Sequence, residues 1–199
     1  MSIKALFVDL GGVLIINKAR KVRDQVLRKH GTELTTIQQI FKFIHTSRRT
    51  EEELNSYLAS KGVKRGLWDE FVRAFYNSEL LNKELYGILK KAHSQGILIV
   101  YTTNNSSGLE KVIDKFKIKF LADIIINSSM EMIAKPDEQF WRLAFRETKK
   151  VLPDVLPENI LVIDDNELNC RSAELFGATT ILYVPKVSDK KIINLLFNS

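Results

Sequence analysis

The sequence predicts an α/β fold: a doubly wound, five-stranded parallel sheet with a small all-helical cap inserted after the first strand. Short apolar runs alternate with amphipathic helical stretches from residue 82 onward, a pattern typical of parallel strands buried on both faces. A first apolar run stands alone near the start, and helical periodicity fills the residues between. Residues 1–16 and 82–199 are therefore predicted to form the core domain, and residues 17–81 the cap.

The first strand ends at a carboxylate, Asp9, which precedes Gly11 and Gly12. Burying a charge beside Val8 and Leu10 is costly unless a cation or hydrogen-bond donors meet it. Two glycines permit a tight turn and leave space for a ligand close to the main chain. The same residues also fit a strand that ends in an ordinary turn, so their meaning depends on the rest of the chain.

The insertion is predicted to hold four helices with no strand between them. Apolar residues recur at helical spacing in three clear stripes and one weaker one: Ile37, Ile40, Phe41 and Ile44; Leu54, Tyr57 and Leu58; Trp68, Phe71, Val72 and Phe75; and Val22, Val26 and Leu27. Thr50 and Glu53 have the spacing of a capping box, which begins the second of these stripes.

The second part of the chain alternates helices and strands. The strands are predicted at residues 97–101, 124–126, 160–163 and 180–184. The helices are predicted around residues 85–92 and 109–116, from Pro136-Asp137 onward, at residues 167–176 and at residues 192–197. With the first strand, these elements complete a five-stranded parallel sheet that is covered on both faces.

Composition limits the class of partner. The net charge is +6, but basic residues are dispersed among acids and no basic block is interleaved with aromatics, which argues against nucleic acid. No run approaches the roughly twenty apolar residues that span a bilayer. The single Cys170 rules out an internal disulfide and suits a reducing compartment. A cytoplasmic protein without a membrane or nucleic-acid partner is expected.

Polar residues follow the predicted strands at the edge where parallel sheets bind ligands. Thr102 and Thr103 follow the second strand, Asp164 and Asp165 follow the fourth, and Lys135 precedes a helix between the third and fourth. Taken singly, Thr102 suits a helix cap and Lys135 a surface position. The adjacent carboxylates repel each other without a cation, which favours Mg²⁺. A carboxylate, a hydroxyl, a lysine and an acidic pair at one edge meet the needs of phosphoryl transfer through an aspartyl phosphate.

These residues resemble the four motifs of the haloacid dehalogenase-like hydrolase superfamily, in its order and over the whole chain. The matching segments are Asp9-Leu10-Gly11-Gly12-Val13, Thr102, Lys135-Pro136, and Asp164-Asp165 with Asn169. The resemblance implies a Rossmann-like core. The helical insertion is similar to the small cap of the subfamily that includes sugar-phosphate phosphatases and the N-terminal phosphatase domain of soluble epoxide hydrolase.

The resemblance also implies a role for each residue. Asp9 is the expected nucleophile. The Thr102 hydroxyl and the backbone N–H of Thr103 are expected to hold the phosphoryl oxygens, and Lys135 to keep Asp9 ionised and neutralise the phosphate. Mg²⁺ is expected on Asp9, the Gly11 carbonyl oxygen and one or both members of the acidic pair Asp164-Asp165. Asn169 is expected to orient that pair. The expected substrate is a small phosphorylated metabolite, for example a sugar phosphate.

The chain departs from the family pattern at Gly11. Family phosphatases usually carry there a second aspartate that protonates the leaving alcohol and then activates water, help worth roughly two to four powers of ten in rate. Three interpretations remain: a phosphatase that favours good leaving groups or borrows a proton donor, a binding or regulatory protein with little turnover, and a haloacid dehalogenase. The dehalogenase is the weakest of the three, because dehalogenases work without the metal that the acidic pair requires.

The cap is expected to choose the substrate. Six of its residues are candidates for substrate contact: Asn17, Lys18, Arg20, His45, Arg48 and Arg49. His45 is also a candidate for the borrowed acid, since histidine titrates near neutral pH. For any single one of these residues, a solvated cap surface is the simpler explanation. Neither the substrate nor the oligomeric state follows from the sequence.

Overall fold

A computed structural model describes residues 2–17 and 20–197, with the backbone alone for residue 17 and residues 20–24. The strands are β1 (Ala5–Val8), β2 (Ile15–Asn17), β3 (Glu79–Leu81), β4 (Leu98–Thr103), β5 (Ile124–Asn127), β6 (Ile160–Asp164) and β7 (Thr179–Leu182). The helices are α1 (Arg20–His30), α2 (Leu34–His45), α3 (Glu51–Ser60), α4 (Arg65–Ser78), α5 (Lys83–Ser94), α6 (Leu109–Phe116), α7 (Ser128–Glu131), α8 (Glu138–Val151), α9 (Glu167–Phe176) and α10 (Val187–Phe197).

Five strands form one parallel sheet in the order β5-β4-β1-β6-β7, as the sequence predicts. β1 lies at the centre, with β4 on one side and β6 on the other. Alternate residues of β1 face opposite layers: Leu6 and Val8 pack with α5, α6 and α10, while Ala5 and Phe7 pack with α8 and α9. The carboxyl end of β1 therefore opens at the middle of the sheet edge.

Helices α1 to α4 form a separate helical unit with its own apolar cluster, in which Ile40, Trp68 and Phe71 are buried. The capping box is confirmed: the Glu53 N–H donates to Thr50 Oγ1 at 3.1 Å, and the Thr50 N–H donates to Glu53 Oε2 at 2.8 Å. Within the described chain, no helix is long and apolar enough to cross a bilayer.

Two of the differences from the prediction bear on the surroundings of the site. Residues 18–81 were expected to contain helices only, but Glu79–Leu81 form β3, which pairs antiparallel with β2. Three residues are too few to show an alternating pattern. β4 continues to Thr103 rather than ending at Tyr101, because threonine suits a strand as well as the apolar residues before it. This extension decides which threonine faces the ligand cleft.

Candidate active site

A cleft of about 740 Å³ separates the carboxyl edge of the sheet from the helical unit. Its floor contains Asp9, Lys135 and Asp165, and its opposite wall comes from α2, α3 and α4. This is the place where parallel α/β sheets bind ligands, since the strand ends and the turns after them leave a crevice there.

A buried ion cluster occupies the floor. The Nζ atom of Lys135 lies 3.0 Å from Asp9 Oδ1 and 2.6 Å from Asp164 Oδ2. It also donates a hydrogen bond to the backbone oxygen of Thr102 at 2.7 Å. All three ammonium protons therefore have acceptors, which is the condition for burying a lysine. The predicted surface alternative for Lys135 does not hold, since the residue is only 5% exposed.

Asn104 fixes the backbone of Lys135 at this position. Its Nδ2 donates to the Lys135 carbonyl oxygen at 2.8 Å, and its Oδ1 accepts from the Lys135 N–H at 2.9 Å. The peptide bond between Lys135 and Pro136 is cis. The sequence analysis missed this positioning role of Asn104, because its partner lies 31 residues away in the chain.

The two adjacent carboxylates have different surroundings. Asp164 is fully buried, and both of its oxygens accept hydrogen bonds from Asn169 Nδ2, at 3.0 and 3.1 Å. Its Oδ1 also accepts from the Asn166 N–H at 2.9 Å. Asp165 instead lines the cleft. Asn169 thus lies where a residue that orients the acidic pair is expected, and Asp165 is the member of the pair that a ligand can reach.

The site contains more negative charge than its lysine offsets. Burial, together with Asp164 and Asp165, raises the pKa of Asp9 to about 7, although Lys135 opposes the rise. Burial and Asp164 likewise raise the pKa of Asp165. The pKa of Lys135 is raised, because Asp9 and Asp164 outweigh the opposing effect of burial. A further cation would stabilise the ionised carboxylates.

The donor set fits a hard divalent cation. One ligand atom from each of Asp9, Asp164 and Asp165 lies within 4.8 Å of the others. None of the described residues donates a hydrogen bond to the Gly11 carbonyl oxygen, and Gly11 lines the same cleft. Carboxylate and carbonyl oxygens are the ligands that Mg²⁺ prefers in proteins.

The structure corrects the threonine assignment by one residue. Thr103, the last residue of β4, lines the cleft, whereas Thr102 does not. Side chains alternate along a strand, so Thr102 lies on the same face as Leu98 and Val100, which pack against α8. The Thr102 hydroxyl is buried without a hydrogen-bond partner among the described residues. The hydroxyl available to a phosphate is therefore that of Thr103.

Only some of the cap residues that were expected to contact substrate line the cleft. His45 and Arg49 line the cleft, whereas Arg48 is exposed and lies outside it. Lys18 and the side chains of Asn17 and Arg20 lie outside the described residues.

His45 joins the helical unit to the sheet. Ser128 Oγ donates to the backbone oxygen of His45, and the same hydroxyl accepts from the N–H of Asn105 at 3.2 Å. Asn105 is two residues beyond Thr103, so His45 lies against the loop that leaves β4. Burial lowers the pKa of His45 to about 4, so its imidazole is neutral at pH 7. A neutral imidazole does not carry the proton expected of a borrowed acid.

A model of the haloacid dehalogenase-like hydrolase family matches residues 3–177. No protein of curated function matches the sequence significantly. A structure from Porphyromonas gingivalis, described as a predicted HAD-like family hydrolase, is 20% identical, with 100% of both chains covered and a TM-score of 0.76.

Two further structures share the fold. A HAD family enzyme from Bacteroides thetaiotaomicron, in complex with magnesium and inorganic phosphate, is 23% identical over 93% of this chain and 95% of that one, with a TM-score of 0.68. L-2-haloacid dehalogenase from Xanthobacter autotrophicus, with chloropropionic acid covalently bound, is 17% identical over 89% and 76%, with a TM-score of 0.60. At these identities the likenesses show the fold alone.

Proposed function

The chain belongs to the haloacid dehalogenase-like hydrolases, and from this premise we propose that it is a Mg²⁺-dependent phosphatase of a small phosphorylated metabolite. The observation that carries the proposal is the meeting of Asp9, Asp165 and Lys135 on the floor of one cleft. Positive charge stabilises a phosphate group during its transfer. This floor offers the ammonium group of a lysine and a set of oxygen ligands that could hold a metal cation.

Asp9 is the proposed nucleophile. One of its carboxylate oxygens attacks phosphorus, the bond from phosphorus to the ester oxygen breaks, and the departing alkoxide takes a proton from water or from the substrate. Water then attacks phosphorus, the bond to Asp9 breaks, and the proton lost by water leaves with the phosphate or to solvent. Lys135 keeps Asp9 ionised and neutralises the phosphoryl group, while the Thr103 hydroxyl and backbone N–H bind its oxygens.

Asp9, Asp165 and the Gly11 carbonyl oxygen are the proposed ligands of Mg²⁺, which when bound neutralises charge on the phosphoryl group. Asp164 faces Lys135 and Asn169, so its proposed role is to hold Lys135 between the carboxylates. The Bacteroides relative, crystallised with magnesium and inorganic phosphate, supports this choice of ion.

The helical unit is proposed to be the cap, with residues 17–81 as its extent and residues 1–16 and 82–199 as the catalytic core. A cytoplasmic location, without a nucleic-acid or membrane partner, stays a prediction from composition. Gly11 keeps one alternative open: a binding or regulatory protein with the same site but little turnover. A dehalogenase is the weaker alternative, since it would leave the three clustered carboxylates of Asp9, Asp164 and Asp165 without the cation that they fit.

The direct test is phosphate release from p-nitrophenyl phosphate and from a panel of alkyl and sugar phosphates, with Mg²⁺ and with EDTA. The proposal expects turnover that requires Mg²⁺ and disappears in Asp9→Asn. If the natural protein releases no more phosphate than Asp9→Asn from every compound, the binding-protein alternative replaces the phosphatase.

A further inference from the structure

The side of the cleft that faces Asp9 is largely apolar. Half-buried side chains of the helical unit form an apolar wall, defined as Leu34, Phe41, Ile44, Leu54, Val72 and Phe75. The cleft volume of about 740 Å³ is well beyond the needs of a phosphate group and lies within the usual range for organic ligands. The organic part of a larger ester whose phosphate lies at Asp9 would therefore face this wall across the cleft.

Buried aromatic rings hold the wall in place. The ring of Phe41 packs against Trp68, Phe71 and Phe75, with centroids 5.5, 5.9 and 5.6 Å apart. Trp68 and Phe71 are only 4% and 2% exposed, so they fix the orientation of the half-buried Phe41 and Phe75 rings. Another aromatic ring can pack on Phe41 or Phe75 at the spacing that these rings already have with their neighbours.

The charged and hydroxyl groups that line the cleft between α2 and α3 and at the start of α3 have partners within the helical unit. Arg49 donates to a backbone carbonyl of α2 at 3.2 Å and lies 3.8 Å from Glu53. Thr50 caps α3 by accepting from the Glu53 N–H, and Glu51 accepts from Arg65 at 2.6 Å. A sugar would need hydrogen-bond partners for its hydroxyls, and among the described exposed polar side chains that α2 and α3 place in the cleft only Gln38 has none within the protein.

The other titratable groups on this side of the cleft also contact neighbouring residues, so they offer few free hydrogen-bonding groups to a sugar. Tyr76 hydrogen bonds to Ser106, and Glu79 Oε2 lies 3.7 Å from Lys115 Nζ. The His45 ring packs on Phe41, with centroids 5.3 Å apart. Within the described residues, the surface that the helical unit turns toward Asp9 is therefore mainly the apolar wall, with the exposed amide of Gln38 as its one polar exception.

We infer that the substrate is a phosphate monoester of an aryl or arylalkyl alcohol, whose apolar group packs on Phe41 and Phe75, rather than a sugar phosphate. The inference rests on the proposed phosphatase function and narrows it to one class of substrate. It replaces the sugar phosphate expected from the resemblance.

Two esters of primary alcohols separate recognition from leaving-group reactivity. 2-Phenylethyl phosphate and glucose 6-phosphate both release a primary alkoxide, so a difference in kcat/KM reports mainly on the organic group. We expect 2-phenylethyl phosphate to be favoured by about tenfold or more, as burial of a ring on an apolar surface predicts. Equal or better turnover of glucose 6-phosphate would overturn the inference and leave the phosphatase function standing.

Substitutions in the apolar wall provide a second test of the proposed substrate class. Phe75→Ser should lower kcat/KM for 2-phenylethyl phosphate by about tenfold and leave methyl phosphate, which has no ring, nearly unchanged. Phe43→Ser is the matched control, because Phe43 stacks on Tyr57 and lies outside the cleft. Val72→Thr keeps the side-chain shape and serves if Phe75→Ser does not fold. A loss that is equal for both esters would overturn the inference.

Binding tests the inference without turnover. 2-Phenylethylphosphonate cannot be hydrolysed, and calorimetry in Mg²⁺ should give it a Kd about tenfold or more below that of methylphosphonate. Phe75→Ser should remove this difference. If neither ester is hydrolysed but the difference in Kd remains, the phosphatase function fails while the apolar specificity holds. If the two phosphonates bind equally, the apolar specificity itself is wrong.

Discussion

A Cβ atom at Gly12 would lie 2.1 Å from Oδ2 of Asp165 and 2.6 Å from its Cγ. Gly12 also has a φ of +85°, a conformation that other residues rarely adopt. The turn after β1 therefore touches the carboxylate proposed to bind Mg²⁺, and any side chain at Gly12 must displace it.

Gly12→Ala should consequently abolish the rise in melting temperature that Mg²⁺ gives the natural protein. The measurement is a thermal melt in Mg²⁺ and in EDTA. Gly11→Ala is the matched control, since nothing lies within 4 Å of a Cβ at Gly11 and its metal-facing group is a backbone carbonyl. A Gly12→Ala protein that keeps the full Mg²⁺ shift would contradict the placement of the ion on Asp165.

Gly11→Asp should add the missing acid and base. The position has room for a side chain and lines the cleft with Asp9. Because general acid–base help is worth roughly two to four powers of ten, we expect a large gain in kcat for alkyl phosphates and a small one for p-nitrophenyl phosphate. The aspartyl phosphate should live longer in the natural protein than in the variant, as rapid-quench trapping would report. Gly11→Asn controls for bulk, and equal adduct lifetimes in the natural and Gly11→Asp proteins would refute this account.

Lys135→Met should destabilise the fold strongly. The substitution leaves Asp9 and Asp164 buried without their ammonium partner, and breaking a buried ion pair in this way costs about 3–5 kcal/mol. The measurement is urea unfolding in EDTA. Lys150→Met is the control, because Lys150 forms an exposed pair with Glu147 that contributes little to stability. Similar losses in the two variants would show that the buried cluster is not what holds this edge together.

His45 should make the protein sensitive to acid. Burial lowers its pKa from the ordinary value near 6.5 to about 4, so below pH 6.5 the unfolded chain takes up a proton that the folded chain refuses. Its contribution to stability is present above pH 6.5 and is lost as the pH falls toward 4. His45→Gln should therefore lose less unfolding free energy between about pH 7 and about pH 5 than the natural protein. His93→Gln, on α5, controls for loss of an imidazole elsewhere, and equal losses in all three proteins would contradict the effect.

The sequence predicted the sheet and the clustering of charged residues at its edge, because both leave local patterns in the sequence. Apolar runs mark the strands, and charges such as Asp9 and Asp164 directly after them mark one edge. Exact side-chain direction was not predictable in the same way. β4 continues through both threonines, and because side chains alternate between the two faces of a strand, only Thr103 faces the cleft. Asn104 was missed for a different reason: a contact with Lys135 across 31 residues leaves no local pattern.

The two threonines of β4 give the clearest test of that correction. Thr103 lines the cleft, while the hydroxyl of Thr102 is buried without a partner among the described residues. Thr103→Val should weaken the binding of inorganic phosphate in Mg²⁺ and lower kcat, because a donor to the phosphoryl oxygens is lost. Thr102→Val should leave binding unchanged and keep or raise the melting temperature, because an unsatisfied buried hydroxyl costs about 1–3 kcal/mol and valine fills the same space. Both variants replace a threonine of β4 by valine at neighbouring positions, so each is the control for the other. If phosphate binding is lost in Thr102→Val and kept in Thr103→Val, the hydroxyl that meets the phosphate is the one first expected from the sequence.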